Sequence, residues 1–359
     1  IEYWRSNTFG DCCVYSGRYG AKPEVGWMIF AEVTLEEAEG AILAHSITCS
    51  GERIKKGTVL RSEHLSNLRA GGTERITVAR LSADDIDENA AADILADALL
   101  DHEWQGLSRT APFTGRVNLI AESAGIVEQD VARLVEMNKV DPMISCATVP
   151  QYQQMAKGGL VATVKIISYS VPKDHLEKAC ALARGAIRLR RPIMKTAALL
   201  ISDTEGGAGD KGLSAISARL EALGISLNTV ERVPHDVKPL AQALERFETD
   251  LVLILTSSAT SDIHDTAPAA LRLAGGQVSR FGMPVDPGNL LFLGSLKDKP
   301  VIGLPGCARS PALNGADWVL SRVACGVACD GDSFAEMSVG GLLKEIPTRP
   351  QPRRPKSKG

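Results

Sequence analysis

The densest run of potentially reactive side chains lies between an apolar stretch at 251–255 and a helix-like stretch that starts at Thr266. It reads Thr256-Ser257-Ser258-Ala259-Thr260-Ser261-Asp262-Ile263-His264-Asp265. Hydroxyls just past a buried strand and just before a helix N-terminus suit an oxyanion, because backbone N–H groups and the helix dipole favour negative charge there. Asp262 and Asp265 carry the hard carboxylate oxygens that Mg2+ takes beside a phosphate. A helix cap by Ser261 or Asp265 accounts for the same residues without any ligand. A second candidate loop, Gly303-Leu304-Pro305-Gly306-Cys307-Ala308-Arg309-Ser310-Pro311, combines small residues with a guanidinium fork suited to a phosphate or a ring carbonyl. A third, 282–289, is turn-rich and offers Asp286 and Asn289; Asp286 as a plain turn residue is the competing account.

A fourth loop competes with these. Gly207, Gly209 and Gly212 fit G-x-G-x-x-G between a strand and a helix, and Glu231 follows at a distance suited to a ribose. That pattern describes a dinucleotide-dependent oxidoreductase using the 207–212 loop. Asp203, Glu205 and Asp210 oppose it, because carboxylates there would repel a pyrophosphate. Cys325 and Cys329, four apart on one helix face, are a conceivable metal pair without C-x-x-C spacing or nearby histidines. The scattered cysteines, with Cys12 and Cys13 adjacent, read as thiols of a reducing cytoplasm rather than a disulfide framework.

Composition narrows the classes of function. The chain has 359 residues, 44% hydrophobic, enough for a sizeable core. A formal charge of -3 and 4% aromatic residues argue against a nucleic-acid footprint, whether electrostatic or stacked. Apolar runs are strand-sized, short of a membrane span.

The elements that must position the loops follow from periodicity. From 195 to 333 apolar strands alternate with helices: strands at 196–201, 225–230, 251–255, 290–293 and 301–304, helices at 213–223, 237–247, 266–274 and 313–324. Short connections in that alternation imply an α/β, doubly wound, mostly parallel sheet covered on both faces, with its ligand beyond the carboxyl ends of the strands. Ahead of it, residues 28–110 read as a smaller α+β region, with a helix-like 35–43, strands near 54–60 and 75–81, and a helix at 84–100. Residues 111–194 read as a mixed connecting region with helices at 126–137 and 173–190 and a strand at 160–168. Residues 1–27 lack periodicity and are expected to be a non-core extension. Residues 334–359 end in a Pro-rich basic run and are expected to be a tail or linker.

The order of these loops resembles the molybdopterin-binding domain of the molybdenum-cofactor biosynthesis proteins, which include MoeA-type insertases and MogA/MoaB-type proteins. The resemblance rests on the strand, the hydroxyl-rich loop with Asp, the Pro287-Gly288-Asn289 loop and Gly303-Leu304-Pro305-Gly306. It extends to 51–60, 85–91 and 111–119, which look like a shortened MoeA-like branch. The resemblance implies a cytoplasmic protein that binds molybdopterin or its nucleotide conjugate, as a transferase acting in molybdate insertion or nucleotide transfer. A non-catalytic carrier that hands molybdopterin to a nucleotidyltransferase domain or protein is the alternative. It further implies a homodimer, with no nucleic-acid or membrane partner. Carried over by position, Ser257, Ser258, Thr260 and Ser261 would cradle the phosphate, while Gly303, Pro305, Gly306, Arg309 and Ser310, with Asp286 and Asn289, would line the pterin. Asp265 and Asp262 would hold Mg2+ and, with Glu205, act in catalysis. Ser258 and Ala259 stand where the family has glycines, and Asp286 lies where insertases carry lysine, which favours binding over molybdate insertion.

Overall fold

The structure, a computed structural model, describes residues 28–49, 51–100, 106–203 and 212–344. The expected extension at 1–27, the basic run after 344, and Glu205 with the glycines at 206–209 therefore lie outside the described residues.

Strands Ile29–Thr34 and Ile42–Leu43 flank Arg75–Arg80 in an antiparallel sheet. Helix Ser62–Ala70 closes a small core of Leu43, Leu60, Leu65, Leu68, Ile76 and Val78. The helix expected at 35–43 is a single 3-10 turn, Glu36–Ala38, followed by a strand. Gly40, at φ 75°, reverses the chain between them.

A second core begins earlier in the chain than the sequence suggested. Helix Glu88–Leu100 buries Ala91, Leu95 and Leu99 against antiparallel strands Leu107–Arg109, Arg116–Ala121, Leu160–Ile166 and Ile144–Thr148. Two expected helices are corrected here. The span 126–137 divides into strand Gly125–Gln129 and helix Val131–Asn138, because Asp130 accepts the Arg133 N–H and caps the helix at that point. The span 173–190 is helical only over Lys173–Ala183. Gly185, at φ 63°, turns the chain into strand Ile187–Arg190, which pairs with Gly125–Gln129. Arg188 and Arg190, which fall within the span expected to be helical, are cross-strand partners of Glu128. Burial alone would raise the Glu128 carboxyl, but the two guanidiniums hold it below its ordinary range.

The third body carries the candidate site, and its elements are numbered here. They run β1 (Thr196–Asp203), α1 (Leu213–Ala222), β2 (Ser226–Pro234), α2 (Val237–Arg246), β3 (Leu251–Leu255) and α3 (Thr266–Leu273). There follow β4 (Gln277–Phe281), β5 (Phe292–Leu296), β6 (Lys299–Leu304), α4 (Gly315–Ala324) and α5 (Gly331–Glu336). The sheet order is β2-β1-β3-β6-β5-β4; the first four are parallel, and β5 and β4 add an antiparallel edge. The fold is a mixed α/β one with a largely parallel sheet, as the alternation of elements predicted; β4 was not foreseen.

Strand β3 shows why the sheet must be covered on both faces. Leu251, Leu253 and Leu255 enter one core with Ile216, Leu220, Val319 and Leu320 of α1 and α4. Val252 and Ile254 point into the other core, with Leu240, Leu244 and Leu271 of α2 and α3. Side chains alternate across a strand, so an unbroken apolar run is stable only with helices on both sides. The chain stays on this body past residue 333: Phe334 and Met337 are buried in the first of these cores, and Leu342 bridges to Asp286.

Candidate anion site at the carboxyl ends of the parallel strands

The chain leaves β3 through a tight turn that its own side chains hold. Thr256 is buried, and its hydroxyl donates to the Ser258 carbonyl at 2.6 Å. Arg309 reaches the same turn from the 3-10 segment Gly306–Arg309 after β6, and its Nη2 donates to the Thr256 carbonyl at 2.6 Å. The guanidinium is therefore fixed, yet incompletely engaged. Among the described residues Arg309 Nε and Ser257 Oγ are buried and have no hydrogen-bond partner. Burial presses the Arg309 guanidinium down from its usual range, opposed by the Asp203 carboxylate. At Gly212, φ 99°, a Cβ would sit 2.8 Å from Arg309 Cγ, so only glycine lets α1 start this close to the arginine.

Two further residues form the frame of this turn. Arg219 on α1 pairs with Asp317 on α4 at 2.6 Å and donates to the carbonyls of Ala308, Ser310 and Ala312. Asp317 in turn accepts the Asn314 N–H and completes the capping box of α4. The loop that presents Arg309 is thereby tied to two helices.

A histidine completes the rim. His235 follows β2, and its ring bridges Ser202 at the end of β1 and Ser258 beyond β3: Nδ1 lies 2.8 Å from Ser202 Oγ and Nε2 3.3 Å from Ser258 Oγ. Ser202 is fully buried and Ser258 is exposed.

The sequence-predicted residues divide sharply in these surroundings. Ser257 and Ser258 lie on the turn that Arg309 reaches through the Thr256 carbonyl. Thr260 is buried 3.4 Å from the Thr256 hydroxyl, and Ser261 turns its hydroxyl back to the Ala259 carbonyl. Asp265 is a helix cap: its two oxygens accept the N–H groups of Ser261 at 2.9 Å and Thr266 at 2.7 Å. The Ser261 N–H chiefly holds its carboxyl below the usual range, against burial and with help from Thr266. Asp262 accepts the His264 N–H. Among the described residues no three His, Cys, Asp or Glu side chains converge as a metal cluster. With Asp262 and Asp265 engaged by backbone N–H groups, these donors do not fit a protein-held Mg2+.

Gly303 serves packing rather than ligand approach, since a Cβ there would lie 1.9 Å from the Phe292 ring. Gly306 is exposed and open, and Pro305 starts the 3-10 turn. Ser310 accepts the Ala312 N–H and holds the loop. Asp286 and Asn289 lie on a loop tied through its backbone to Gly341, Leu343 and Met283. Gly288 of that loop abuts Gly315 at the start of α4. Glu231, the ribose candidate, is paired with Arg246. The thiols of Cys325 and Cys329 are pushed up to about 11, by burial above all, and among the described residues no third His, Cys, Asp or Glu joins them as a metal cluster.

His235, Ser202, Arg219 and Asp317 escaped the sequence reading. A histidine just past a predicted strand was a visible signal for the first. Its value depends on β2, β1 and β3 being neighbours, which local pattern does not encode.

A family described as a domain of unknown function (DUF8806) matches residues 32–80, the segment of the first small core. No curated protein sequence matches the chain. Among solved structures it is similar to the molybdopterin biosynthesis MoeA protein from Pyrococcus horikosii, at 15% identity and a TM-score of 0.28, over 84% of this chain and 75% of that one. It is also similar to the molybdopterin biosynthesis enzyme MoaB from Thermus thermophilus, at 17% identity and a TM-score of 0.27, over 42% of this chain and 100% of that one. A CinA protein of unknown function from Thermoplasma acidophilum gives 17% identity and a TM-score of 0.24, over 32% of this chain and 90% of that one. Superpositions this loose leave the functional reading to the site itself. Among the described residues no helix is long and apolar enough to cross a membrane.

Proposed function

We propose that the α/β body binds a phosphorylated pterin of the molybdopterin class and acts in molybdenum-cofactor biosynthesis. The reading is carried by two buried donors without partners among the described residues: Ser257 Oγ on the turn after β3, and Nε of Arg309, whose Nη2 binds the Thr256 carbonyl of that turn. A buried donor left without an acceptor costs about 1–3 kcal/mol, so a site that keeps two of them is built for a group that arrives with acceptors. A phosphate supplies such acceptors, and Arg309 matches its charge. The sequence resemblance supplies the pterin and the choice among insertion, nucleotide transfer and a carrier that serves a nucleotidyltransferase, in a homodimer. Glu231, the ribose candidate of the dinucleotide pattern, is paired with Arg246, which counts against the dinucleotide reading.

The test is a fluorescence titration of the purified protein with molybdopterin, with NADH as the control. Saturable binding that weakens about 30-fold in R309A, or about 2 kcal/mol, is expected. Saturable NADH binding without pterin binding overturns the proposal.

A further inference from the structure

We draw no further inference here: the strongest candidate, the groove between helix Val131–Asn138 and strand Ile144–Thr148 of the second body, has its amide side chains engaged with one another and with the backbone, and nothing in the structure shows what covers its apolar wall of Val131, Val135 and Val149.

Discussion

Two regions of the molecule with polar side chains differ in what those side chains leave open. A groove of about 400 Å3 lies between helix Val131–Asn138 and strand Ile144–Thr148. Its polar groups are engaged with one another. Asn138 accepts the Cys146 N–H and donates to the carbonyls of Leu134 and Cys146. Gln129 and Gln151 exchange bonds with each other's surroundings, Gln129 donating to the Val149 carbonyl and its N–H to Gln151. Even Cys146 is inert there, its thiol pushed up to about 12 by burial. The turn after β3 leaves Arg309 Nε and Ser257 Oγ without partners among the described residues. Unengaged buried donors point to the strand ends, because a closed polar network gains nothing from a ligand.

The sharpest way to break this contrast is to close or collapse the strand-end site from below. R219A removes the guanidinium that holds three carbonyls of the 308–312 loop and leaves Asp317 without its charge partner. Loss of about 3 kcal/mol in urea unfolding is expected, together with loss of pterin binding. A fully stable R219A with unchanged binding would mean the frame is not what positions Arg309.

Next in size is a paired comparison of the two regions. N138A strips the Cys146 backbone of both its side-chain bonds and should cost about 2 kcal/mol of stability with no change in pterin affinity. R309A should do the reverse, weakening affinity about 30-fold with a smaller loss of stability. If N138A weakened binding as much as R309A, the groove rather than the strand ends would be the ligand site.

Smaller again is the effect of Asp265. Its carboxyl titrates below its ordinary value because the Ser261 and Thr266 N–H groups stabilise the charged form. A depressed folded-state value means that its contribution is present above the unfolded value near 4 and is lost as the pH falls through the folded one. D265A should therefore cost about 1 kcal/mol at neutral pH and flatten the acid limb of the stability curve. A steep Mg2+ dependence of pterin binding, abolished in D265A, would show instead that the carboxylate serves a metal.

The smallest effect is expected at Gly306, where a Cβ meets open space: G306A should leave the melting temperature within a degree or two. G303A provides the contrast within the same loop. Its Cβ would fall inside the Phe292 ring, so folding should suffer before binding can be asked about. Equal tolerance of both substitutions would mean Phe292 has room to move.

Much of the α/β body was legible in the chain itself. The run Leu251–Leu255 is apolar on both strand faces, so a covered, largely parallel sheet followed from it directly. The start of α3 was marked by Asp265, a capping residue with a local chemical reason. The middle region was not legible in this way. Gly125–Gln129 and Ile187–Arg190 each adjoin a helix in sequence, and only their pairing across some sixty residues makes them strands.

The sequence by itself determined which residue types stand beyond the strands: hydroxyls after β3, and an arginine among small residues after β6. Tertiary structure decided which of them have groups to offer. Asp265 and Glu231 read as ligands until the fold gave one to its own helix and the other to Arg246. Gly303 read as a place for ligand approach until Phe292 filled it. His235 read as nothing until β1 settled between β2 and β3 and carried Ser202 beneath its ring. The physical reason is the same in each case. A side chain's chemistry is local, but whether its donors and acceptors are already engaged depends on strand order, which no local pattern encodes.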